Sequence, residues 1–322
     1  MGVDLRDIFT AKVIEISELR NKLIAIDAFN AIYQFLSALR QSDGTSLKDS
    51  HDNITSHLSG LFYRTIKLMK FGIKPTYVFD GKPVDLKFKT LEKRSIAKEA
   101  AKENWMGAIA KGNLEDARKF AKRTSTLTEE MVVESKNLLT AMGIPCVQAI
   151  NDGEALCAHI CKKGDVYAVA TQDYDALLFG APKTLRNLTF TGDRELEMLN
   201  LADVLKNLGI TREQLIDIGI LVGTDFNDGV KGIGPKTALK IVKSRKFPTE
   251  KFNFDIDEIR KIFTNPNVTD GYNIEFKDYD EDEIFKILCD EHDFSRERVK
   301  NGLDELRKVK EESRQKGLNA WF

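Results

Sequence analysis

A chain of 322 residues, 42% apolar and 31% charged, can bury a sizeable core in one large domain or two ordinary ones, which excludes disorder for most of its length. No apolar run approaches the ~20 residues of a membrane span, and MGVDLRDIF carries an acid early and lacks a signal-peptide core. The net charge of −1 hides local excess: residues 82–123 hold twelve Lys/Arg against six Asp/Glu, 231–246 hold six Lys/Arg and no acid, and 255–293 hold thirteen acids against four bases.

In chain order, Arg6 stands where a myristoylation signal has Ser or Thr. LIAID then reads as a short buried strand ending at Asp27, followed by a helical pattern, AFNAIYQFLSAL. A second helical pattern, ITSHLSGLFYRTIKLMKF, leads through a Gly-Ile-Lys-Pro turn to TYVFD, a strand ending at Asp80. Residues 85–123 are Lys/Arg/Glu/Ala-rich with a weak apolar stripe (Leu86, Leu91, Ile96, Trp105, Ile109), which suits long exposed helices or a mobile arch. EEMVVESKNLLTAMG is a helix with a Gly terminus, IPCVQAI a strand, and NDGEALCAHICKKG a loop opening a helix capped by Asn151 or Asp152. VYAVATQD is a third strand ending in a carboxylate, Asp173, and beyond residue 200 the pattern is mostly helical.

Strands alternating with helices imply an α/β fold: a mostly parallel central sheet flanked by helices. Ligands of such sheets bind beyond the carboxyl ends of the strands, so Asp27, Asp80 and Asp173 aim at one rim. Asp152, Glu154, Asp175 and Asp225 join them by position. Seven acids together repel one another unless cations neutralise them. An all-oxygen set selects hard ions, Mg²⁺ or Mn²⁺, and a pair of such ions serves phosphodiester hydrolysis. Taken singly, each acid reads as an N-cap or exposed residue. Four cysteines (Cys146, Cys157, Cys161, Cys289) without a CxxC pair read as buried thiols of a reducing compartment, not as a disulfide framework or zinc site, and four scattered histidines argue against a His-rich metal site.

GVKGIGPKTALKIVKS at 229–244 places Gly232, Gly234 and Pro235 before a helix, flanked by Lys231, Lys236, Lys240 and Lys243. Backbone N–H groups at such a helix start receive a phosphate, which is a helix-hairpin-helix reading with binding of duplex backbone irrespective of sequence. The plainer reading is an ordinary helical corner.

Together MGVDLRDIF, AIDAFNAIYQFL, DNITSHLSGLFYRT, YVFDGKP, DGEALCA, ATQDYDALLFG and LVGTDFNDGVKGIGPKTAL resemble the structure-specific 5′ nucleases, most closely the archaeal and eukaryotic flap endonucleases, from Gly2 to about residue 247. The resemblance implies a Mg²⁺-dependent DNA endonuclease of replication and repair. It would cut 5′ flaps at single-strand/double-strand junctions with two metal ions (Mn²⁺ as a substitute) and have 5′-3′ exonuclease side activity. It implies metal ligands at Asp27, Asp80, Asp152, Glu154, Asp173, Asp175 and Asp225, and a basic pair at Lys87 and Arg94 against the scissile phosphate. Seven residues apart on a helix, that pair shares a face. DNA contacts are implied at Tyr33, Arg40, Thr55, Arg64, Lys231, Gly232, Gly234, Lys236 and Lys240, and a K⁺ ion near Gly232–Gly234. Relatives usually carry Glu where this chain has Asp152, one methylene shorter.

The implied organisation is a first nuclease half (1–98), a basic arch (99–124), an acidic second half (125–222), a helix-hairpin-helix region (223–258), a C-terminal helical region (259–310) and a tail (311–322). In the tail, Gln315, Leu318, Trp321 and Phe322 match Q-x-x-aliphatic-x-x-aromatic-aromatic, a peptide that docks on sliding clamps. The expected partners are flapped or branched DNA and a sliding clamp, with the chain a monomer. It would be intracellular: cytoplasmic in a prokaryote, nuclear in a eukaryote. The alternatives are an exonuclease or RNA-directed nuclease, and a catalytically impaired junction binder or clamp adaptor. A small-molecule Mg²⁺ phosphatase would need neither GIGPK nor the arch. The acidic stretch 255–293 reads as a solvated face.

Overall fold

A computed structural model describes residues 2–83, 85–189, 194–245, 247 and 255–319, apart from the side chains of residues 85, 88–91, 93, 94, 114 and 312–319. Seven strands form one sheet: β1 (Lys12–Val13), β2 (Leu23–Asp27), β3 (Lys74–Phe79), β4 (Cys146–Gln148), β5 (Ala168–Ala170), β6 (Lys183–Arg186) and β7 (Glu197–Asn200), in the order β1-β7-β6-β5-β2-β3-β4. The five strands from β6 to β4 are parallel, as the strand–helix alternation predicts. β7 and β1 add an antiparallel edge that the sequence does not announce, because KTLR, EMLN and KV are short and half polar.

Alternation along the central strands assigns the two faces. Ile24, Ile26, Tyr77 and Phe79 enter one core, Ala25 and Val78 the other. The first core is closed by α1 (Ala28–Ala38), α2 (Ser56–Lys70), α5 (Glu129–Ala141), α12 (Glu281–Phe285) and α13 (Arg296–Asn319). The second is closed by α6 (Gly153–Lys163), α7 (Asp175–Leu178), α8 (Leu201–Leu208), α9 (Arg212–Val222), α10 (Pro235–Lys243) and α11 (Ile256–Thr264). α3 (Phe88–Ala110) and α4 (Leu114–Ala121) stand between β3 and α5 in the chain and are largely exposed. From central β2 the chain runs outward to β3 and β4, then returns past β2 to β5 on its other side. This reversal opens a crevice at the carboxyl ends of the strands.

Three local expectations are corrected. Lys74 and Pro75 are the first residues of β3 rather than a turn, Pro75 standing opposite Ile24 where strand entry tolerates a missing N–H. Asp80 lies one residue, and Asp173 three residues, past its strand. The acidic stretch is only partly a solvated face. Residues 265–280 form a strap without regular structure whose Val268, Tyr272, Ile274 and Phe276 pack onto both cores. Asp270 holds it to Lys163 at 2.9 Å and His159 at 2.8 Å. Two of the scattered histidines also meet. His57 Nε2 is 2.9 Å, and His292 Nε2 3.6 Å, from the Glu134 carboxylate, bracing α2 and α5 against the turn before α13.

Candidate active site

Helix starts and strand ends place the acids. Asp27 closes β2 and caps α1, its Oδ1 accepting from Asn30 N at 3.0 Å. Asp152 caps α6 through Oδ1, accepting from Ala155 N at 3.1 Å, and Glu154 sits in the first turn of that helix. Thr171 Oγ1 donates to Glu154 Oε1 at 2.5 Å and accepts from Asp173 N at 3.2 Å. Asp175 opens α7 and accepts from Val3 N at 2.8 Å, and Asp225 lies in the Thr224–Asn227 turn after α9.

Two glycines let the acidic loops approach. Gly153 N donates to Asp80 Oδ1 at 2.6 Å, and a Cβ on Gly153 would lie 2.5 Å from that oxygen. Gly81 N donates to Asn151 O at 2.7 Å, and a Cβ there would meet Ile150 O at 2.1 Å, a backbone atom that cannot swing aside. Gly81→Ala is therefore expected to push the Asp80 loop off the Asp152 loop. A displacement near 1 Å costs on the order of 10²-fold in rate. Single-turnover cleavage of a 5′ flap checks this, and a parental rate would show that the loops tolerate separation.

Asp27, Asp80, Asp152, Glu154, Asp173 and Asp225 line one cleft of about 1800 Å³ together with Lys87 and Tyr33. Asp175 lies buried behind them, 3% exposed. Burial, then the neighbouring acids, push the carboxyls of Asp27 and Glu154 well above the ordinary range. Asp80 is pushed up to about 6 by burial and then Asp152. Asp175 is pushed up to about 8 by burial and then Asp225 and Asp173. Lys87 Nζ lies 2.8 Å from Asp152 Oδ2 and 3.9 Å from Asp225 Oδ2. Burial works against its charge, but Asp152, Asp80 and Asp225 outweigh burial and hold the ammonium above its ordinary range.

The donor set fits hard divalent cations: oxygen only, and short of positive charge. Among the described residues no group of three or more His, Cys, Asp and Glu side chains stands close enough together to hold an ion by itself. An open row of acids suits Mg²⁺, which keeps several waters and takes one or two carboxylates plus substrate phosphate.

Tyr33 faces the cleft with Lys98 Nζ 4.8 Å from its ring centroid, and Lys98, Lys102, Lys122 and Arg123 of the α3–α4 region also line it. The backbone of Arg94 lies on α3, but its side chain is outside the described residues. Arg40, Thr55 and Arg64 do not line the cleft. Arg40 donates to Leu36 O, Gly44 O and Ser125 Oγ, tying the end of α1 to the segment after α4. Thr55 is buried before α2, and Arg64 is half-buried on that helix. Gly234 caps α10 with Pro235 at its first position; Lys231, Lys236, Lys240 and Lys243 are exposed while Ala238 and Val242 face the core. Gln315 and Leu318 fall on the last turns of α13, their side chains outside the described residues, as are Trp321 and Phe322 entirely.

Sequence reasoning misses two residues that hold these acids. Asn30 Nδ2 donates to Asp173 Oδ2 at 3.3 Å, and Thr171 joins Glu154 to Asp173. The available signal is slight: Asn30 stands three after Asp27, and Thr171 two before Asp173.

The XPG N-terminal domain matches residues 3–101, and the XPG I-region matches 143–225. Flap endonuclease 1 of Pyrococcus horikoshii is 54% identical over all of this chain and 98% of its own, and that of Methanosarcina barkeri 47% over the full length of both. This chain belongs to the flap endonuclease family. Its function is therefore structure-specific flap endonuclease cleavage, and nucleases of this type are metal-dependent. The solved flap endonuclease-1 from Methanococcus jannaschii superposes with a TM-score of 0.81 at 45% identity, covering 96% of this chain and 98% of that one. The catalytic core of Rad2 in complex with DNA substrate gives 0.71 at 26%, covering 92% and 96%. The family's α/β nuclease fold is the one described above. No helix among the described residues is long and apolar enough to cross a membrane.

Proposed function

We propose that flap cleavage here uses two Mg²⁺ ions, replaceable by Mn²⁺, held by Asp27, Asp80, Asp152, Glu154, Asp173, Asp175 and Asp225. The observation that carries this is the gathering of six of these carboxylates, with Lys87, on one cleft at the strand ends. When bound, such ions supply Lewis acidity for attack of water on a phosphodiester. Lys87, joined by Arg94, steadies charge developing on the scissile phosphate. Tyr33 offers a ring for an unpaired base, the arch lysines draw in the 5′ strand, and exposed Lys231, Lys236 and Lys240 beside Gly232 and Gly234 take duplex phosphates, with K⁺ at that hairpin. Arg40 and Arg64 extend the DNA surface beyond the cleft, and Thr55, buried at the start of α2, belongs to it only as support. Rad2's complex with DNA substrate supports a DNA partner for the same fold.

The halves 1–98 and 125–222 supply six of the acids, 99–124 the arch, 223–258 Asp225 and the hairpin region, 259–310 its support and 311–322 the clamp tail. The chain acts as a monomer wherever it meets DNA: in the cytoplasm of a prokaryotic cell or the nucleus of a eukaryotic one. A 5′-labelled flap duplex incubated with Mg²⁺, beside a nicked duplex, single-stranded RNA and a phosphomonoester, tests the reading. Binding without cleavage at any metal concentration would leave a junction binder instead.

The tail gives a separate expectation. Truncation after Gly317 removes Leu318, Trp321 and Phe322, the apolar anchors of a clamp-docking turn. It should eliminate calorimetric binding to the cognate sliding clamp and leave clamp-free cleavage at the parental rate; equal clamp affinity with and without the tail would refute the role.

A further inference from the structure

Asp173 lies in the four-residue link, residues 171–174, between β5 and α7, and Asp175 opens that helix; within the link Thr171 Oγ1 accepts from Asp173 N at 3.2 Å. Two other elements hold it further. Gln172 N donates to Asn30 Oδ1 at 3.2 Å, from α1. Gln172 O accepts from Arg186 Nε at 3.2 Å, from the end of β6. Both peptide groups of the residue before Asp173 are thus held. Between the two acids, Tyr174 is gripped as well. Its OH accepts from Arg186 Nη1 at 2.6 Å, its ring lies 4.4 Å from the guanidinium carbon, and Phe9 packs on it edge-on at 5.2 Å. Arg186 is fixed in turn by Glu197, its cross-strand partner, at 2.9 Å.

Arg186 does not line the acidic cleft; it lines a separate cavity of about 530 Å³ with Arg6, Phe9, Tyr174 and Glu197. We propose that Arg186 is a positioning residue that sets the spacing of Asp173 and Asp175 and thereby the divalent-ion affinity of that side of the site. The inference rests on the metal-site reading given above. Geometry rather than charge is the means. Glu197 already neutralises the guanidinium, whereas its planar fork reaches a carbonyl, a hydroxyl and a ring face at once, which an ammonium cannot do. Partners that orient metal ligands from behind typically change metal affinity 10–100-fold when removed.

The test uses the full chain with Arg186→Ala and Arg186→Lys, and three readouts: Mn²⁺ binding by loss of the free-ion EPR signal, the Mg²⁺ midpoint of single-turnover flap cleavage, and flap affinity by anisotropy. Arg186→Ala should weaken Mn²⁺ binding and raise the Mg²⁺ midpoint by about tenfold or more. The rate should recover at high Mg²⁺ and flap affinity should not move. Arg186→Lys should fall between, and methylguanidinium below denaturing concentration should move the Ala variant's midpoint back. Unchanged Mn²⁺ affinity and Mg²⁺ midpoint, with only a lowered melting temperature, would make Arg186 a strand-edge ion pair and overturn the proposal. Failure of the metal-site reading looks different: the parent would bind no Mn²⁺, or Asp173→Ala would bind it as the parent does.

Discussion

Asp173→Ala should abolish flap cleavage while leaving flap binding largely intact. Asp173 faces the cleft, is oriented by Asn30 Nδ2 and Thr171 Oγ1, and pairs with no Lys or Arg among the described residues. In the proposed reading its value lies in holding positive charge that this chain does not itself supply. Losing one ligand of a hydrolytic metal pair removes both orientation and charge, so the rate should fall at least on the order of 10³-fold. Binding should persist because, in the proposed reading, the lysines of the arch and hairpin supply most of the affinity for phosphates. The metal-free fold should not suffer either. After burial, Asp173 is the largest contributor holding the Glu154 carboxyl above its ordinary range, so its removal relieves repulsion. The expected result is thus a dead enzyme, at least as stable as the parent in EDTA, that still binds flaps. Cleavage within tenfold of the parent would sink the assignment.

The same repulsion explains why the gathering of these acids is legible in the sequence. Acids that repel one another at strand ends have no folding reason to gather, and each betrays itself by position: Asp27 after LIAI, Asp80 after TYVF, Asp173 after a third apolar run. The core was legible for a related reason, since strands buried on both faces read as continuous apolar runs. Less visible was whatever depends on contacts distant in sequence. Arg186 touches Gln172 and Tyr174 only because β6 lies beside β5 in the sheet, and a Lys-Thr-Leu-Arg segment carries no mark of it. The strap at 265–280 was hidden in the same way. Its acids suggest solvent, while the alternating Tyr272, Ile274 and Phe276 that anchor it lack helical spacing. Gly81 and Gly153 stood in plain view within YVFDGKP and NDGEA, but their reason appears only when the two loops meet.

Lys87→Ala should separate two effects that share one side chain. The ammonium, 2.8 Å from Asp152 Oδ2 and 3.9 Å from Asp225 Oδ2, is a positive charge inside an acidic row. Removing it leaves the row more negative, so the Mg²⁺ midpoint should fall. In the proposed role it also removes a donor for charge growing on the scissile phosphate, so the rate at saturating Mg²⁺ should fall by roughly 10²–10³-fold, or about 2.7–4 kcal/mol. Tighter metal with slower chemistry is a pattern that simple loss of folding does not produce. Asp152→Asn sharpens the argument. Asn caps α6 as well as Asp does, so the Ala155 N–H stays satisfied, while the charge paired with Lys87 is gone. Residues in direct contact couple, so the double variant should lose less than the product of the two single losses. If the losses multiply, Lys87 and Asp152 act separately despite their contact. If Lys87→Ala at saturating Mg²⁺ cuts within tenfold of the parent, the ammonium serves only to quiet the acids in the free enzyme and has no part in the chemistry.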